Sequence, residues 1–247
     1  MEDADQICRV YFLKPGLRIH QRPVVNAVLG GDNVIGILAT GGGKSLTYQV
    51  PYMLSTGITI VVSPLIALID DQVNGLPAAL RESTVILSGD NGMLSKLISQ
   101  AVVNTGRCLI YTGPEKLSHF IRSQTLPAPV IRLVLDEAHC ASEWGNTFRD
   151  AYLLLPRLWE QLGKPQIQAM TATASESTLN DLMSMFPVRF TVIRSSIYRS
   201  NLFLTAIEHQ ATEHRDNHLQ MLIRNRVGPV IIYANSRSYV DRTTKWL

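Results

Sequence analysis

A glycine-rich turn that ends in lysine and serine is the first feature of this sequence that could do chemistry. Residues 40–45 read Thr-Gly-Gly-Gly-Lys-Ser, and the apolar run at residues 34–39 before them predicts a buried strand. The residues after Ser45 predict a helix. Glycines between a strand and a helix let backbone N–H groups converge on phosphate oxygens, and the helix N-terminus adds partial positive charge. In such a turn Lys44 reaches the β- and γ-phosphates of a nucleotide, and the Ser45 hydroxyl ligates Mg²⁺.

Two consecutive carboxylates supply the second half of that chemistry. Asp136 and Glu137 follow residues 130–135, a second apolar run that predicts a strand. Ligands bind at the carboxyl ends of the strands in an open parallel sheet. There Asp136 can hold Mg²⁺, and Glu137 can orient and deprotonate the attacking water. The two motifs together predict a site that hydrolyses ATP, with Lys44, Asp136 and Glu137 as its catalytic groups.

One position departs from the usual phosphate-loop pattern, because Leu38 stands where its first glycine is expected. The alternative interpretation of residues 40–45 is a turn that merely joins a strand to a helix. Three consecutive glycines cost backbone entropy on folding, and the Lys-Ser pair directly after them adds a second signal. The phosphate-binding interpretation is therefore favoured.

Composition sets the broad class of the protein. A chain of 247 residues, 46% of them hydrophobic, can bury one sizeable core and part of a second. No apolar stretch reaches membrane-spanning length and the N-terminus is acidic, so we expect a soluble intracellular protein. Cys8, Cys108 and Cys140 are too few and too scattered for a disulfide framework or a zinc site. A net charge of +3 permits nucleic-acid binding without demanding it.

Apolar β-rich runs alternate with helical patterns along most of the chain, which is typical of repeated βαβ units and an α/β fold. Besides the two runs above, strands are expected at residues 57–63, 85–88, 109–111, 166–170 and 189–193. A polar stretch at residues 195–201 indicates a domain boundary, and two further strands are expected at residues 202–207 and 230–233. Two strands are too few to be stable alone. We therefore divide the chain into residues 1–198 and a truncated second unit, residues 199–247.

In their order along the chain, these motifs resemble those of the RecQ-type DNA helicases of superfamily 2. The segments that carry the resemblance are residues 17–21, 40–51, 62–73, 111–117, 136–149, 170–174, 199–202 and 232–237. The resemblance implies a RecA-like P-loop NTPase domain with a mostly parallel sheet flanked by helices, plus an incomplete second RecA-like unit. It also implies an ATP-dependent 3′-5′ DNA helicase that uses ATP and Mg²⁺. Its partner would be DNA that is single-stranded or has a single-stranded tail.

The resemblance also assigns roles to individual residues. Gln21 would read the edge of the adenine base, and Arg18 would lie beside the nucleotide. The phosphate loop would consist of Thr40, Gly41, Gly42, Gly43, Lys44 and Ser45, and Mg²⁺ would be held by Ser45 and Asp136. The residues implied in DNA contact are Ser63, Pro64, Gln72, Trp144, Phe148 and Arg149. Those implied in coupling hydrolysis to DNA are Thr171 and Thr173.

The aromatic loop after the acidic motif has a physical rationale of its own. Aromatic rings stack on unpaired bases of any sequence, at about 1–3 kcal/mol per base, and Arg149 adds a cation for phosphate. Packing of Trp144 and Phe148 in the core, on one helical face, is the alternative that their spacing allows equally. The resemblance favours DNA sensing. The sequence departs from the family pattern at Lys14, Ala39, Asn146 and Thr147.

A second motor domain would supply an arginine finger, and no motif that carries it occurs before Leu247. In related enzymes of phosphoryl transfer that arginine contributes about 10³–10⁵ in rate. We therefore expect slow ATP hydrolysis and no unwinding of duplex DNA by this chain alone. The alternative function is a truncated nucleotide-dependent DNA-binding module. The expected compartment is the nucleus in a eukaryote, or the cytoplasm and nucleoid in a bacterium.

The aromatic loop gives the first testable prediction. Changing Trp144→Ala and Phe148→Ala together should reduce the stimulation of ATP hydrolysis by single-stranded DNA, because two stacking rings are lost. Nucleotide affinity, measured by titration of the same variant, should not change. Equal losses of stimulation and of nucleotide affinity would instead place both rings in the core.

Overall fold

The structure is a computed structural model that describes residues 2–64, 66–143, 152–196 and 201–246. The chain forms two compact units, Met1–Ile197 and Tyr198–Leu247. The first is an α/β unit and contains both motifs of the predicted site. No helix in the described ranges is both long enough and apolar enough to cross a lipid bilayer.

A seven-stranded sheet forms the centre of the first unit. Its strands are β1 (Asn33–Ile37), β2 (Gly57–Val62), β3 (Thr84–Ile86), β4 (Arg107–Thr112), β5 (Val130–Leu135), β6 (Gln166–Thr171) and β7 (Phe190–Arg194). The strand order is β3-β4-β2-β5-β6-β1-β7, and each of these neighbouring pairs is parallel. The predicted α/β class with a parallel sheet is therefore confirmed.

Two helices precede β1, and the others connect the strands, as parallel pairing requires. They are α1 (Glu2–Phe12), α2 (Arg22–Leu29), α3 (Leu46–Met53), α4 (Ile66–Asn74), α5 (Ala78–Arg81), α6 (Asn91–Thr105), α7 (Pro114–Ser123), α8 (Cys140–Glu143), α9 (Leu155–Gln161) and α10 (Glu176–Met185). Local chemistry sets the limits of the longest one, α6. The Asp90 side chain accepts a hydrogen bond from the Met93 N–H at its start, and Gly106 adopts a left-handed φ of 73° at its end.

Both faces of the sheet are buried, which explains the nearly continuous apolar runs in the sequence. Alternate residues of β2 show this. Ile58, Ile60 and Val62 belong to one core cluster, whereas Val61 belongs to the cluster on the other face. Each such side chain stabilises the fold by about 1.5–3 kcal/mol relative to an exposed position.

The strand order brings three loops to one edge of the sheet. β6 lies between β5 and β1, so the carboxyl ends of these three strands are neighbours. The glycine turn follows β1, the two carboxylates follow β5, and Thr171 ends β6. The sheet thus brings together motifs that are far apart in sequence.

The second unit corrects one expectation. Its helices are α11 (Thr212–Arg224) and α12 (Arg237–Trp246), and residues 202–207 and 230–233 form no strand within the described part of the chain. These segments do have the apolar, β-rich sequence of a strand, but a strand also needs a neighbouring strand with which to form hydrogen bonds. Their large apolar side chains are exposed instead, as Phe203 (93%) and Tyr233 (90%) show. The prediction of two strands was therefore wrong.

The start of β2 yields a test of the fold. Gly57 has a φ of 101°, and an added Cβ would lie 2.9 Å from Ile131 Cγ2 and 3.0 Å from the Pro129 carbonyl oxygen. Gly57→Ala should therefore lower the free energy of unfolding, measured in urea, by about 1–3 kcal/mol more than a strained but uncrowded control. Gly31→Ala is that control, since Gly31 has a φ of 91° and no atom within 4 Å of an added Cβ. Equal losses would show that crowding at Gly57 is unimportant.

Candidate active site

The glycine turn has a backbone path that excludes side chains. Gly41 and Gly43 adopt left-handed φ values of 75° and 76°. A Cβ on Gly42 would lie 2.7 Å from the Ala39 carbonyl oxygen, and one on Gly43 would lie 2.4 Å from Gln21 Nε2. Glycine is therefore required here for close backbone approach, which is the property that a phosphate cradle needs. Thr40 opens the turn and is exposed.

The turn leads directly into α3. The backbone N–H of Leu46 donates to the Gly43 carbonyl at 3.2 Å, and that of Thr47 donates to the Lys44 carbonyl at 3.0 Å. Ser45 immediately precedes the helix and is half-buried. A bound phosphate would thus meet the positive end of a helix, flanked by a lysine and a hydroxyl.

The segment predicted to read the adenine base, residues 17–21, donates hydrogen bonds to the carbonyls of the glycine turn. Arg18 Nη1 donates to the Gly41 carbonyl at 2.9 Å. Gln21 Nε2 donates to the carbonyls of Gly42 and Gly43 at 2.9 and 3.1 Å, and Gln21 Oε1 accepts from the Arg18 backbone N–H at 2.8 Å. Both ends of the buried Gln21 amide are thus engaged by protein groups. Its contact with adenine stays a prediction.

His20 makes a similar contact that the sequence did not indicate. Its Nε2 lies 2.9 Å from the Gly42 carbonyl oxygen, which requires the Nε2-protonated ring for a hydrogen bond. Its position between Arg18 and Gln21 is the only sequence signal of this role.

Lys44 and Glu137 meet across the gap between the glycine turn and the acidic motif. Lys44 Nζ lies 2.7 Å from Glu137 Oε1, and the side chains are 13% and 28% exposed. Glu137 has a φ of 48°, an unusual conformation for a residue with a Cβ. Such strain, of order 1–3 kcal/mol, persists where the surroundings hold it and concentrates at functional sites. The glycine turn and the acidic motif thus meet at this contact, while phosphate binding by Lys44 and water activation by Glu137 stay predictions.

Asp136 is the most buried of the charged groups here, at 3% exposure. Burial raises the pKa of its carboxyl group. Two hydrogen bonds to this carboxylate partly offset the rise in pKa, one from Gln72 Nε2 at 2.9 Å and one from the Glu137 backbone N–H at 3.1 Å. A nearby cation would favour the charged form further.

The donors in this region fit Mg²⁺ bound together with phosphates. No cluster of three or more His, Cys, Asp or Glu residues suited to a metal ion occurs in the described ranges. Mg²⁺ usually needs no such cage, because one or two protein oxygens and the substrate's phosphates complete its coordination. The Asp136 carboxylate and the Ser45 hydroxyl are donors of that kind.

His139 joins the acidic motif to the end of β6. Its Nδ1 lies 2.9 Å from Thr171 Oγ1 and 3.5 Å from Glu137 Oε2. The Thr171 hydroxyl donates to the Thr173 carbonyl at 2.7 Å, so it accepts from His139, and Nδ1 carries the proton. Of the predicted coupling residues, Thr171 is thus two contacts from Glu137 and Thr173 is three, and their coupling role stays a prediction. The sequence placed His139 in the acidic motif but gave it no role.

The residues predicted to contact DNA are described only in part. Ser63 is 1% exposed and its backbone N–H donates to the Thr112 carbonyl, Pro64 is half-exposed, and Gln72 is bonded to Asp136. Their DNA contacts stay predictions. The other three, Trp144, Phe148 and Arg149, lie outside the described residues.

The sequence of this chain is similar to those of known helicases. The family model described as DEAD/DEAH box helicase matches residues 18–182. The probable ATP-dependent DNA helicase RecS of Bacillus subtilis is 35% identical over 223 residues, which are 89% of this chain and 44% of that protein. The ATP-dependent DNA helicase RecQ of Haemophilus influenzae is 34% identical over 251 residues, 99% of this chain and 39% of that protein. The chain thus spans less than half of the length of these relatives.

A solved structure shows the same fold. It is that of Mycobacterium smegmatis helicase Lhr bound to single-stranded DNA and AMP-PNP, with a TM-score of 0.60 and 18% identity. The match covers 95% of this chain and 34% of that one. The predicted RecA-like architecture is thereby confirmed.

The lysine of the glycine turn provides a decisive test of the site. Lys44→Ala should abolish measurable binding of Mg²⁺-ATP in a titration, because it removes the cation that meets the phosphates. Lys96→Ala is a suitable control, since Lys96 is exposed on α6, away from the turn. Affinity within about twofold of the unmodified chain would show that this is not the phosphate site.

Proposed function

Since this chain belongs to the DEAD/DEAH box helicase family, we propose that it is the ATP-binding motor portion of a RecQ-type 3′-5′ DNA helicase. The resemblance to RecQ-type helicases that its motifs predict is confirmed by the curated relatives. The observation that most supports an ATP-hydrolysing role is the 2.7 Å contact between Lys44 and Glu137. This contact joins the residue that we propose for phosphate binding to the residue that we propose for water activation.

The first step that we propose is an exchange of partners at Lys44. Its ammonium group leaves Glu137 and binds the β- and γ-phosphates of the nucleotide, whose negative charge is greater. Glu137 Oε1 is then free to accept a hydrogen bond from a water. The carboxylate orients that water toward the γ-phosphate and takes up its proton as the water oxygen bonds to the γ-phosphorus. The bond from that phosphorus to the bridging oxygen breaks, and ADP leaves with that oxygen.

Asp136 and Ser45 are the residues that we propose for holding Mg²⁺. When bound, the cation neutralises charge on the phosphate oxygens and on the leaving group. Gln72 holds the Asp136 carboxylate through its hydrogen bond of 2.9 Å to Oδ2. His139 orients Glu137 while its proton remains shared with Thr171.

Single-stranded DNA is the partner that we propose for the surface after β2 and β5. The contacts would come from Ser63, Pro64, Gln72, Trp144, Phe148 and Arg149. Gln72 supports this proposal, because it belongs to α4 and also donates a hydrogen bond to Asp136. If DNA binding shifts α4, the hydrogen bond to the carboxylate that we propose for holding Mg²⁺ changes as well. Lhr, bound to single-stranded DNA and AMP-PNP in its structure, shares the fold. An intracellular location, where DNA and ATP are present, is part of this proposal.

Replacement of Glu137, the proposed general base, tests the proposed function. Glu137→Gln should lower kcat for ATP at least about 100-fold, because the amide cannot accept the proton. Nucleotide affinity should stay the same or rise a few-fold, since Lys44 loses a competing partner that is only partly shielded from water. ATP hydrolysis with and without single-stranded DNA should be measured beside duplex unwinding.

Glu176→Gln is the matched control, because Glu176 is an exposed carboxylate that pairs with Arg194 outside the site. Hydrolysis by Glu137→Gln at the rate of this control would refute the role of Glu137. Binding of nucleotide and DNA by the unmodified chain without any hydrolysis would favour the binding-module alternative.

A further inference from the structure

A buried glutamine lies beneath the glycine turn and has no part in the chemistry described so far. Gln168 is on β6 and is 0% exposed. Its Nε2 donates to the Thr47 carbonyl at 3.1 Å and to Thr47 Oγ1 at 3.2 Å. The bond crosses from the sheet to the first turn of α3, the helix that begins at the phosphate loop.

Thr47 passes this contact on to Lys44. Its hydroxyl donates to the Lys44 carbonyl at 2.6 Å, and its own backbone N–H donates to the same oxygen at 3.0 Å. A hydroxyl has one proton, so Thr47 Oγ1 donates to Lys44 and accepts from Gln168. The result is a directed chain in which each hydrogen bond polarises and strengthens the next.

Core stability explains only one end of this side chain, because Nε2 donates to the Thr47 carbonyl, whose helical donor is missing at Pro51. Gln168 Oε1 is buried and has no hydrogen-bond partner among the described residues. An unpaired buried carbonyl is destabilising, so the Oε1 end of the side chain has no explanation in stability. Local violations of this kind are expected at functional sites.

We infer that Gln168 is a positioning residue for the phosphate loop, which it holds through Thr47 and the Lys44 carbonyl. The inference rests on the proposed function, because it assumes that Lys44 binds phosphate. β6 ends at Thr171, which is bonded to His139 of the acidic motif. The same strand therefore sets the positions of both the lysine and the groups around Glu137.

The test compares nucleotide affinity with thermal stability. Gln168→Leu should weaken binding of a fluorescent ADP analogue, in the presence of Mg²⁺, by about tenfold, the effect of losing one hydrogen bond. The melting temperature should change by no more than a few degrees, because removal of the unpaired oxygen is offset by loss of the donor to the Thr47 carbonyl. Thr47→Val breaks the same chain at its next member and should weaken binding similarly. The double variant, which carries both changes, should bind the nucleotide no more weakly than the weaker-binding single variant, because both changes interrupt the same chain of hydrogen bonds.

Thr59→Val is the matched control. Thr59 is likewise 0% exposed on the sheet, and its hydroxyl has no partner among the described residues, but it does not contact the phosphate loop. This variant should gain stability and bind the nucleotide like the unmodified chain. Unchanged affinity in Gln168→Leu, or losses that add in the double variant, would overturn the inference while leaving the proposed function intact. An unmodified chain that binds no nucleotide would instead overturn the proposed function, and the inference with it.

Discussion

Parallel pairing of β1, β6 and β5 is the constraint on which the rest of the site depends. Strands that run in the same direction end at the same edge, so the glycine turn, the acidic motif and Thr171 meet although the sequence separates them widely. The same pairing requires helices on both faces, and therefore strands that are apolar on both. Polar chemistry is consequently concentrated at the strand ends, and the exceptions within the sheet, such as Gln168, are conspicuous.

The groups at that edge are held by bonds between motifs more than by bonds within them. Lys44 binds Glu137, Gln72 binds Asp136, and His139 binds Thr171. Each bond joins two segments that follow different strands. Such an arrangement transmits displacement, because a shift of one loop changes the partner of a charged or polar group on another. Under the proposed function, DNA bound at α4 or at the end of β6 would influence the carboxylates through these bonds.

The sequence was sufficient for the strands of the first unit because burial on both faces produces long apolar runs that need no knowledge of the neighbours. It was insufficient for residues 202–207 and 230–233, whose β pattern says nothing about whether a neighbouring strand is present. At the site, the roles of Lys44 and Glu137 stay predictions, but the location of these residues at strand ends was predictable from the motifs. His20, His139 and Gln168 were not, because their roles depend on carbonyl and hydroxyl groups that only the tertiary structure brings within reach.

The hydrogen bonds from Gln21 to the glycine turn affect the direction in which the backbone N–H groups of the turn point. In a trans peptide the carbonyl of one residue and the N–H of the next residue lie in one rigid plane and point in opposite directions within it. Gln21 Nε2 holds the carbonyls of Gly42 and Gly43, so it also turns the N–H groups of Gly43 and Lys44 away from itself. The segment expected to meet the base thereby aims the donors expected to meet the phosphates. A change of rotamer at this one amide would rotate two peptide planes and alter both ends of the nucleotide site at once.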